Sequence, residues 1–349
     1  MRDSKKNMAK IFFSIIIPVK EINNYLRKET IPAILKQTYQ NFEIIILPDH
    51  DSKEKFAKTK IIPTWPKVGP ADKRNLGVDQ AKGEILAFLD DDAYPEKNWL
   101  EKALSIFELQ TLSAVCGPGV TPPSDPLLAQ VSGWMWASFL GSGGAGQYRC
   151  WPRPRREVDD YPTFNLLVKK KDFLKTGGFD ARFWPGEDTK FCHDLVHRQG
   201  KKIIYDPQVL VYHHRRNIFL PHLKQIGRYG KHRGHFVKIL PKTSQRLGYF
   251  MPMLFAFGVI LSPILIILLQ IMGFLVLARV LLTIYLFILG IYGALLLASS
   301  FWVLKQSKNP LSALLFFPTI FVSHLFYGVM FLYGLGKQDF QSKFGQDKL

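Results

Sequence analysis

Cysteine is nearly missing from this 349-residue chain, Cys116, Cys150 and Cys192 being the only three. So small and odd a number excludes a disulfide framework and suits a reducing compartment. Acid is missing over a longer stretch: no Asp or Glu occurs between Asp206 and Asp339. A cleaved signal peptide is not expected, because the apolar run behind the basic start MRDSKKNMAK is only IFFSIII and stops at Pro18. That run reads as a first buried strand. No internal repeat is visible.

What the chain has in excess is positive charge, a formal net of +18. Such an excess calls for a polyanionic partner, either nucleic acid or an anionic membrane. Position decides between them. Lys224, Arg228, Lys231, Arg233, Lys238, Lys242 and Arg246 crowd the stretch just before the first long apolar block. Basic residues beside a span are what anionic headgroups and the positive-inside rule select. Anionic membrane lipids, and no nucleic acid, are therefore the expected partners of this charge.

Three apolar blocks follow, at about 250–272, 279–304 and 311–335. Each is long enough to cross a hydrocarbon core of about 30 Å as a helix. Arg279 separates the first pair, and Lys305, Lys308 and Asn309-Pro310 the second. The expected organisation is a catalytic domain over 1–216, basic interfacial helices over 217–248, a transmembrane region of about three helices over 249–336 and a polar tail over 337–349. With three spans and a cytoplasmic catalytic domain, the tail lies outside the cytoplasmic membrane. Lys337, Lys343 and Lys348 fit that side poorly, so two spans with a re-entrant segment are the alternative.

From 11 to about 212 short apolar runs alternate with helical stretches. Ile11–Ile17, Ile44–Leu47 and Ile85–Leu89 are rich in β-branched residues, as strands buried on both faces are. Helices are expected over 22–37, 70–81 and 95–108. The alternation predicts an α/β fold with a mostly parallel sheet flanked by helices, and ligands at the carboxyl ends of its strands. Residues 117–160, rich in Gly, Pro and Trp, read as a long functional loop with one helix over 126–140.

The strand Ile85–Leu89 runs into Asp90, Asp91 and Asp92. Adjacent carboxylates repel one another, and hard oxygen ligands of this kind suit Mn²⁺ or Mg²⁺ bridging protein and phosphate. A capped acidic turn before a helix starting near Pro95 is the other reading. Glu187-Asp188 precede a helical run and supply either a general base or plain acidity in a first turn. His213-His214 end a strand over 208–212, and an imidazole there, by preference His213, can join a metal.

Several segments, in order, resemble the family-2 glycosyltransferases of GT-A fold, over about 11–215. SIIIPVKE (14–21) resembles the family's first strand and nucleotide-binding loop, and EIIILPDHD (43–51) its second strand. GPADKRNLG (69–77) resembles a helix start whose Arg approaches the nucleotide, GEILAFLDDD (83–92) the metal-binding D-x-D, and GGFD (177–180) with PGED (185–188) the acceptor side. The resemblance implies an inverting, metal-dependent glycosyl transfer from a UDP-, GDP- or dTDP-sugar. It implies donor binding by Pro18, Val19, Glu21, Asp49, Arg74, Asp90 and Asp91, and a metal held by Asp92, Asp90 and His213. It gives Asp188, with Glu187, the catalytic role and places Trp184 beside the acceptor. QIGRY (225–229) resembles the Q-x-x-R-W signature of processive synthases, which adds Gln225, Arg228 and Tyr229 at the acceptor or membrane interface. Pro48 and Lys20-Glu21 depart from the family pattern. No G-x-G-T-R loop follows the first strand, which excludes the nucleotidyltransferases that share the fold. A lipid-linked glycan is the expected acceptor. Polyprenyl-phosphate transfer, processive synthesis and an inactive scaffold are the alternatives.

Overall fold

The computed structural model describes residues 11–65, 68–109, 112–144 and 146–337. The basic start and nearly all of the polar tail, Lys343 and Lys348 included, lie outside the described residues. The described residues form two compact units, one from those up to Pro122 with Trp151–His214, the other from those of Pro123–Cys150 with 215–337.

The first unit opens with β1 (Phe13–Pro18), a helical turn at Leu26–Thr30 leading into α1 (Ile31–Leu35), β2 (Phe42–Leu47), β3 (Thr59–Ile61), α2 (Pro70–Gln80) and β4 (Ile85–Leu89). It continues with β5 (Ala93–Pro95), α3 (Trp99–Leu109), β6 (Ala114–Cys116) and β7 (Gly119–Val120). The second unit interrupts here with α4 (Leu127–Ala137), α5 (Phe139–Ser142) and α6 (Gln147–Cys150). The first resumes through β8 (Arg156–Val158), β9 (Asn165–Lys169), α7 (Lys170–Thr176), α8 (Glu187–His193), β10 (Ile203–Tyr205) and β11 (Val211–His213). The second ends with α9 (Leu220–Ile239), α10 (Pro241–Ser244), α11 (Leu247–Ile271), α12 (Leu275–Ser307) and α13 (Pro310–Gly336).

Eight strands make one mixed sheet in the order β3-β2-β1-β4-β9-β6-β10-β8. β1 lies parallel to both β2 and β4, with Pro18 opposite Leu47 and Ile16 opposite Phe88. The residues that follow these three strands therefore emerge at one edge. Ile15, Ile16, Ile44, Ile45, Leu86 and Phe88 are fully buried, each contributing about 1.5–3 kcal/mol by leaving water. β9 is antiparallel to both β4 and β6.

A second, three-stranded sheet, β5-β11-β7, forms where a helix start near Pro95 is expected. Ala93–Pro95 instead pairs antiparallel with Val211–His213, and α3 begins only at Trp99. Proline disfavours helical conformation in the residue before it, and a partner strand is at hand to satisfy the backbone. The expected helix over 22–37 is present: residues 24–35 are helical throughout, with a π-helical turn at Leu26–Thr30 leading into α1.

In the second unit α11, α12 and α13 are long and apolar enough to cross a membrane. The break between the first two falls at Gly273, whose φ of +81° ends α11, and not at Arg279, which sits inside α12. At 33 residues α12 is longer than a bilayer core requires, about 50 Å at 1.5 Å per residue. Its first turns can thus carry Arg279 at the lipid–water boundary. The helix expected over 126–140 breaks at Ser138, and its segment clusters with this unit. α9 packs backbone to backbone on α13: a Cβ at Gly230 would stand 2.7 Å from the Tyr327 carbonyl oxygen, and one at Gly234 2.1 Å from that of Phe331. His222 of α9 joins Ser132 Oγ (2.8 Å from Nδ1) and Ser323 Oγ (3.1 Å from Nε2).

Candidate active site

The shared edge of β1, β2 and β4 gathers the candidate residues of the first unit. Pro18 and Val19 are buried at the end of β1, and Glu21 is exposed. Asp49, just past β2, is buried and ion-paired with Lys73 of α2, whose ammonium also donates to the Val19 carbonyl at 2.5 Å. Lys73 thus ties the two strand-end loops together. It lay one residue from Arg74 in the sequence, but its role depends on where α2 points.

Arg74 is the hub. Its side chain is buried; Nη2 donates to Asp90 Oδ1 at 2.9 Å and Nη1 to Glu187 Oε1 at 3.0 Å. One guanidinium therefore links the acidic end of β4 with the first turn of α8, 113 residues away in sequence. A buried Arg fork satisfying two carboxylates is favourable only because both charges are paired.

At the end of β4 three carboxylates diverge. Asp90 faces Arg74. Asp91 accepts from the Asn23 amide, and burial first, then the charges of Asp92 and Asp90, push its carboxyl up to about 7. Asp92 meets His213, with Nε2 to Oδ1 at 3.1 Å. The small sheet makes that meeting: Ala93 pairs with His213, and the His214 amide donates to the Asp92 carbonyl at 3.0 Å. The neighbouring His214 turns away, to Glu29 (3.2 Å) and the Tyr25 ring (4.2 Å between centroids). Asn23 carried no motif by which sequence reading could single it out.

Asp90, Asp92 and His213 bring one ligand atom each within 4.8 Å of one another. Two carboxylates and an imidazole fit Mn²⁺, and fit Mg²⁺ less well because of the nitrogen donor.

The motifs at 177–180 and 185–188 arise from backbone demands. Gly177 and Gly178 take φ of +84° and +82°, a region that a β-carbon disfavours. Phe179 is then clamped by Asn75, which donates to its carbonyl (2.7 Å) and accepts from its amide (2.9 Å). Asp180 accepts from the Arg182 amide at 3.1 Å, and half-buried Trp184 leads into α8. There Glu187 is buried against Arg74, and burial raises its carboxyl pKa even though Arg74 opposes the rise. Asp188 is half-buried and accepts from the Thr189 amide at 2.7 Å. Burial, then the charges of Glu187 and Asp160, push it up to about 7. A carboxylate so poised takes a proton readily near neutral pH.

Gln225, Arg228 and Tyr229 lie in the second unit, on α9. Gln225 Nε2 donates to Tyr229 Oη at 3.2 Å, and the Tyr229 ring stands edge-on to Trp136 at 5.8 Å.

Residues 14–171 match the sequence profile of a family described as Glycosyl transferase family 2. Among curated relatives is the pre-mycofactocin glycosyltransferase of Mycobacterium tuberculosis, 29% identical over 42% of this chain and 30% of that protein. The glucosyl-dolichyl phosphate glucuronosyltransferase of Haloferax volcanii is 23% identical over 53% of this chain and 63% of that one. A glycosyltransferase of Haemophilus influenzae is 39% identical over 52% of this chain and 61% of its own length. The chain thus spans less than two thirds of each of these relatives. Among solved structures, a mannosyltransferase from Pyrobaculum calidifontis in complex with GDP-Man and Mn²⁺ superposes with a TM-score of 0.53 at 14% identity, covering 94% of this chain and 88% of that one. At that identity the likeness establishes the GT-A fold alone.

Proposed function

We propose, from the match of residues 14–171 to the family-2 glycosyltransferase profile, that the protein transfers a sugar, with inversion, from a nucleotide-sugar to a lipid-linked glycan at the cytoplasmic membrane. The observation that carries this reading is the Arg74 fork, which joins the acidic end of β4 to the Glu187-Asp188 turn. The donor end and the acceptor end of a transfer reaction are thereby held in one rigid frame.

In this reading Val19, Asp49 and Lys73 line the nucleotide's site, with Pro18, Glu21, Arg74 and Asp91 around it. Asp90, Asp92 and His213 hold Mn²⁺ or Mg²⁺, which neutralises charge on the donor diphosphate when bound. Asp188 removes the proton from the acceptor hydroxyl as that oxygen attacks the anomeric carbon from the face opposite the leaving diphosphate. Glu187 keeps Arg74 in place beneath it. Transition states of this kind carry oxocarbenium character, so the attacking oxygen must be deprotonated as the bond forms.

A phosphate acceptor arrives ionised and has no use for such a base. The raised Asp188 therefore favours a sugar hydroxyl, and the Haloferax relative is named for a lipid-linked sugar, glucosyl-dolichyl phosphate. Anionic lipids meet the basic residues around α9, and the three apolar helices anchor the chain with its catalytic unit cytoplasmic. Purified full-length protein, with a panel of UDP-, GDP- and dTDP-sugars, Mn²⁺ and extracted lipid-linked glycans, should release nucleoside diphosphate and lengthen the lipid. Absence of both transfer and tight Mn²⁺-dependent nucleotide binding would leave only a scaffold.

A further inference from the structure

Asp160 has no place in the mechanism above, yet it is 2% exposed and lies against the turn that carries Asp188. Its Oδ1 accepts from the Thr189 hydroxyl at 2.9 Å, and both residues are buried. Thr189 in turn donates its backbone amide to Asp188 Oδ1 at 2.7 Å. A chain of two hydrogen bonds therefore runs from the Asp160 carboxylate through Thr189 to the Asp188 carboxylate. The next residue fixes its far end. Tyr161 is fully buried, donates its hydroxyl to the Gly117 carbonyl at 2.5 Å, and accepts at its own carbonyl from Cys192 Sγ of α8 at 3.5 Å. Asp160 is thus pinned both to the backbone between β6 and β7 and to α8, where it cannot drift away from Asp188.

We propose, resting on the assignment of Asp188 as base, that Asp160 is a positioning residue: it orients the Asp188 carboxylate through Thr189 and, by its own negative charge, makes that carboxylate more basic. Like charges at close range disfavour a second ionisation, and in a site screened from water the effect is strong. The groups that face Asp188 come from three places: Glu187 on its own turn, Asp160 from the loop before β9, and Arg74 from α2. Asp90 acts on Glu187 across the Arg74 fork, and Lys190, two residues further along α8, is engaged by Asp194. Arg74 alone would lower the basicity of Asp188. Asp160 offsets it, so the site keeps a cation for structure and still presents a proton acceptor matched to neutral pH.

The test compares full-length, detergent-solubilised wild type with Asp160→Asn, Thr189→Val, Asp188→Asn and the Asp160→Asn/Asp188→Asn double variant. Thermal unfolding from pH 5 to 8 needs no substrate. Wild type should lose stability as pH rises through the titration of Asp188. Asp160→Asn, which still accepts the Thr189 hydrogen bond, should lose less, and the double variant should match Asp188→Asn. Hydrolysis of the best sugar nucleotide of the panel, with water as the nucleophile, gives the second readout. Its acid limb in kcat/KM should move down by about one pH unit in Asp160→Asn, while Thr189→Val lowers kcat severalfold with donor KM unchanged. An acid limb and unfolding slope that stay where they are in Asp160→Asn overturn the inference. If that variant does not fold, unchanged kcat in Thr189→Val does so. Retained transfer in Asp188→Asn would instead sink the assignment of the base itself, a separate failure.

Discussion

The two units treat buried polarity in opposite ways. In the first, buried charges face buried charges: Asp49 with Lys73, and Arg74 with Asp90 and Glu187. In the second, the buried polar contacts among the described residues include the neutral Ser132–His222–Ser323 series and the Tyr292–His324 pair, at 3.1 Å. Composition accounts for much of this contrast, since from 207 to 338 there is no carboxylate and Asp125 is the one acidic residue among the described residues of the second unit. The first unit thus keeps ionised groups under cover in pairs, and the second fills its interior with imidazole, hydroxyl and glycine.

The contrast can be broken most forcefully at Arg74. Arg74→Met keeps much of the volume but leaves Glu187 buried without its cation, which should cost about 3–5 kcal/mol of stability in the first unit. Hydrogen exchange should register the loss in β4 and α8 and leave α11–α13 protected as before. Next in size is Asp188→Asn, expected to cut transfer to a sugar hydroxyl by roughly a hundredfold or more. Donor affinity, measured by nucleotide titration, should hold, because those contacts belong to the strand ends around Asp49 and Asp92. Loss of nucleotide affinity with transfer intact would mean the two ends of the site have been assigned the wrong way round.

Asp92→Asn comes third. It removes a negative ligand at constant size, so Mn²⁺-dependent nucleotide binding should weaken at least tenfold, about 1.4 kcal/mol. Calorimetry with and without Mn²⁺ reads this directly, and an affinity indifferent to the metal would reduce the acidic triplet to a capped turn.

The smallest effect sharpens the comparison by its sign. The folded Asp188 has a raised pKa, so between about 4 and 7 the folded state holds more protons than the unfolded chain. The first unit should lose stability as pH climbs through that window and level off above it. Burial holds the His222 imidazole down at about 4, so between 4 and 6.5 the folded second unit holds fewer protons than the unfolded chain. It should gain stability over that range and level off above it. Opposite slopes for β4 and α9 in exchange experiments at pH 4.5 and 6.5 would bear this out; parallel slopes would refute it.

Much of this could be read from the chain itself. The strand runs, the three apolar helices and an α/β sheet flanked by helices follow from hydrophobic period and length, which are local properties, while the GT-A fold was legible only through the ordered motifs that resemble family 2. The acidic triplet stood out because adjacent carboxylates repel one another and together offer hard oxygen ligands. The paired glycines at 177 and 178 were visible too, though their need for positive φ was not.

What the sequence could not yield depends on contacts between distant segments. His213 and His214 are equivalent as letters, and only the pairing of Ala93 with His213 turns one toward Asp92 and the other toward Glu29. A strand at 93–95 was hidden because a three-residue element has no period to detect, and its partner lies more than a hundred residues on. Lys73, Asn23 and Asp160 carry no motif, and each matters through a partner that folding delivers. Composition and periodicity determined the elements and the kind of chemistry, because those are set by neighbours along the chain. The tertiary structure alone decided which carboxylate faces the cation, which takes the imidazole and which is left basic, because burial and charge act through space.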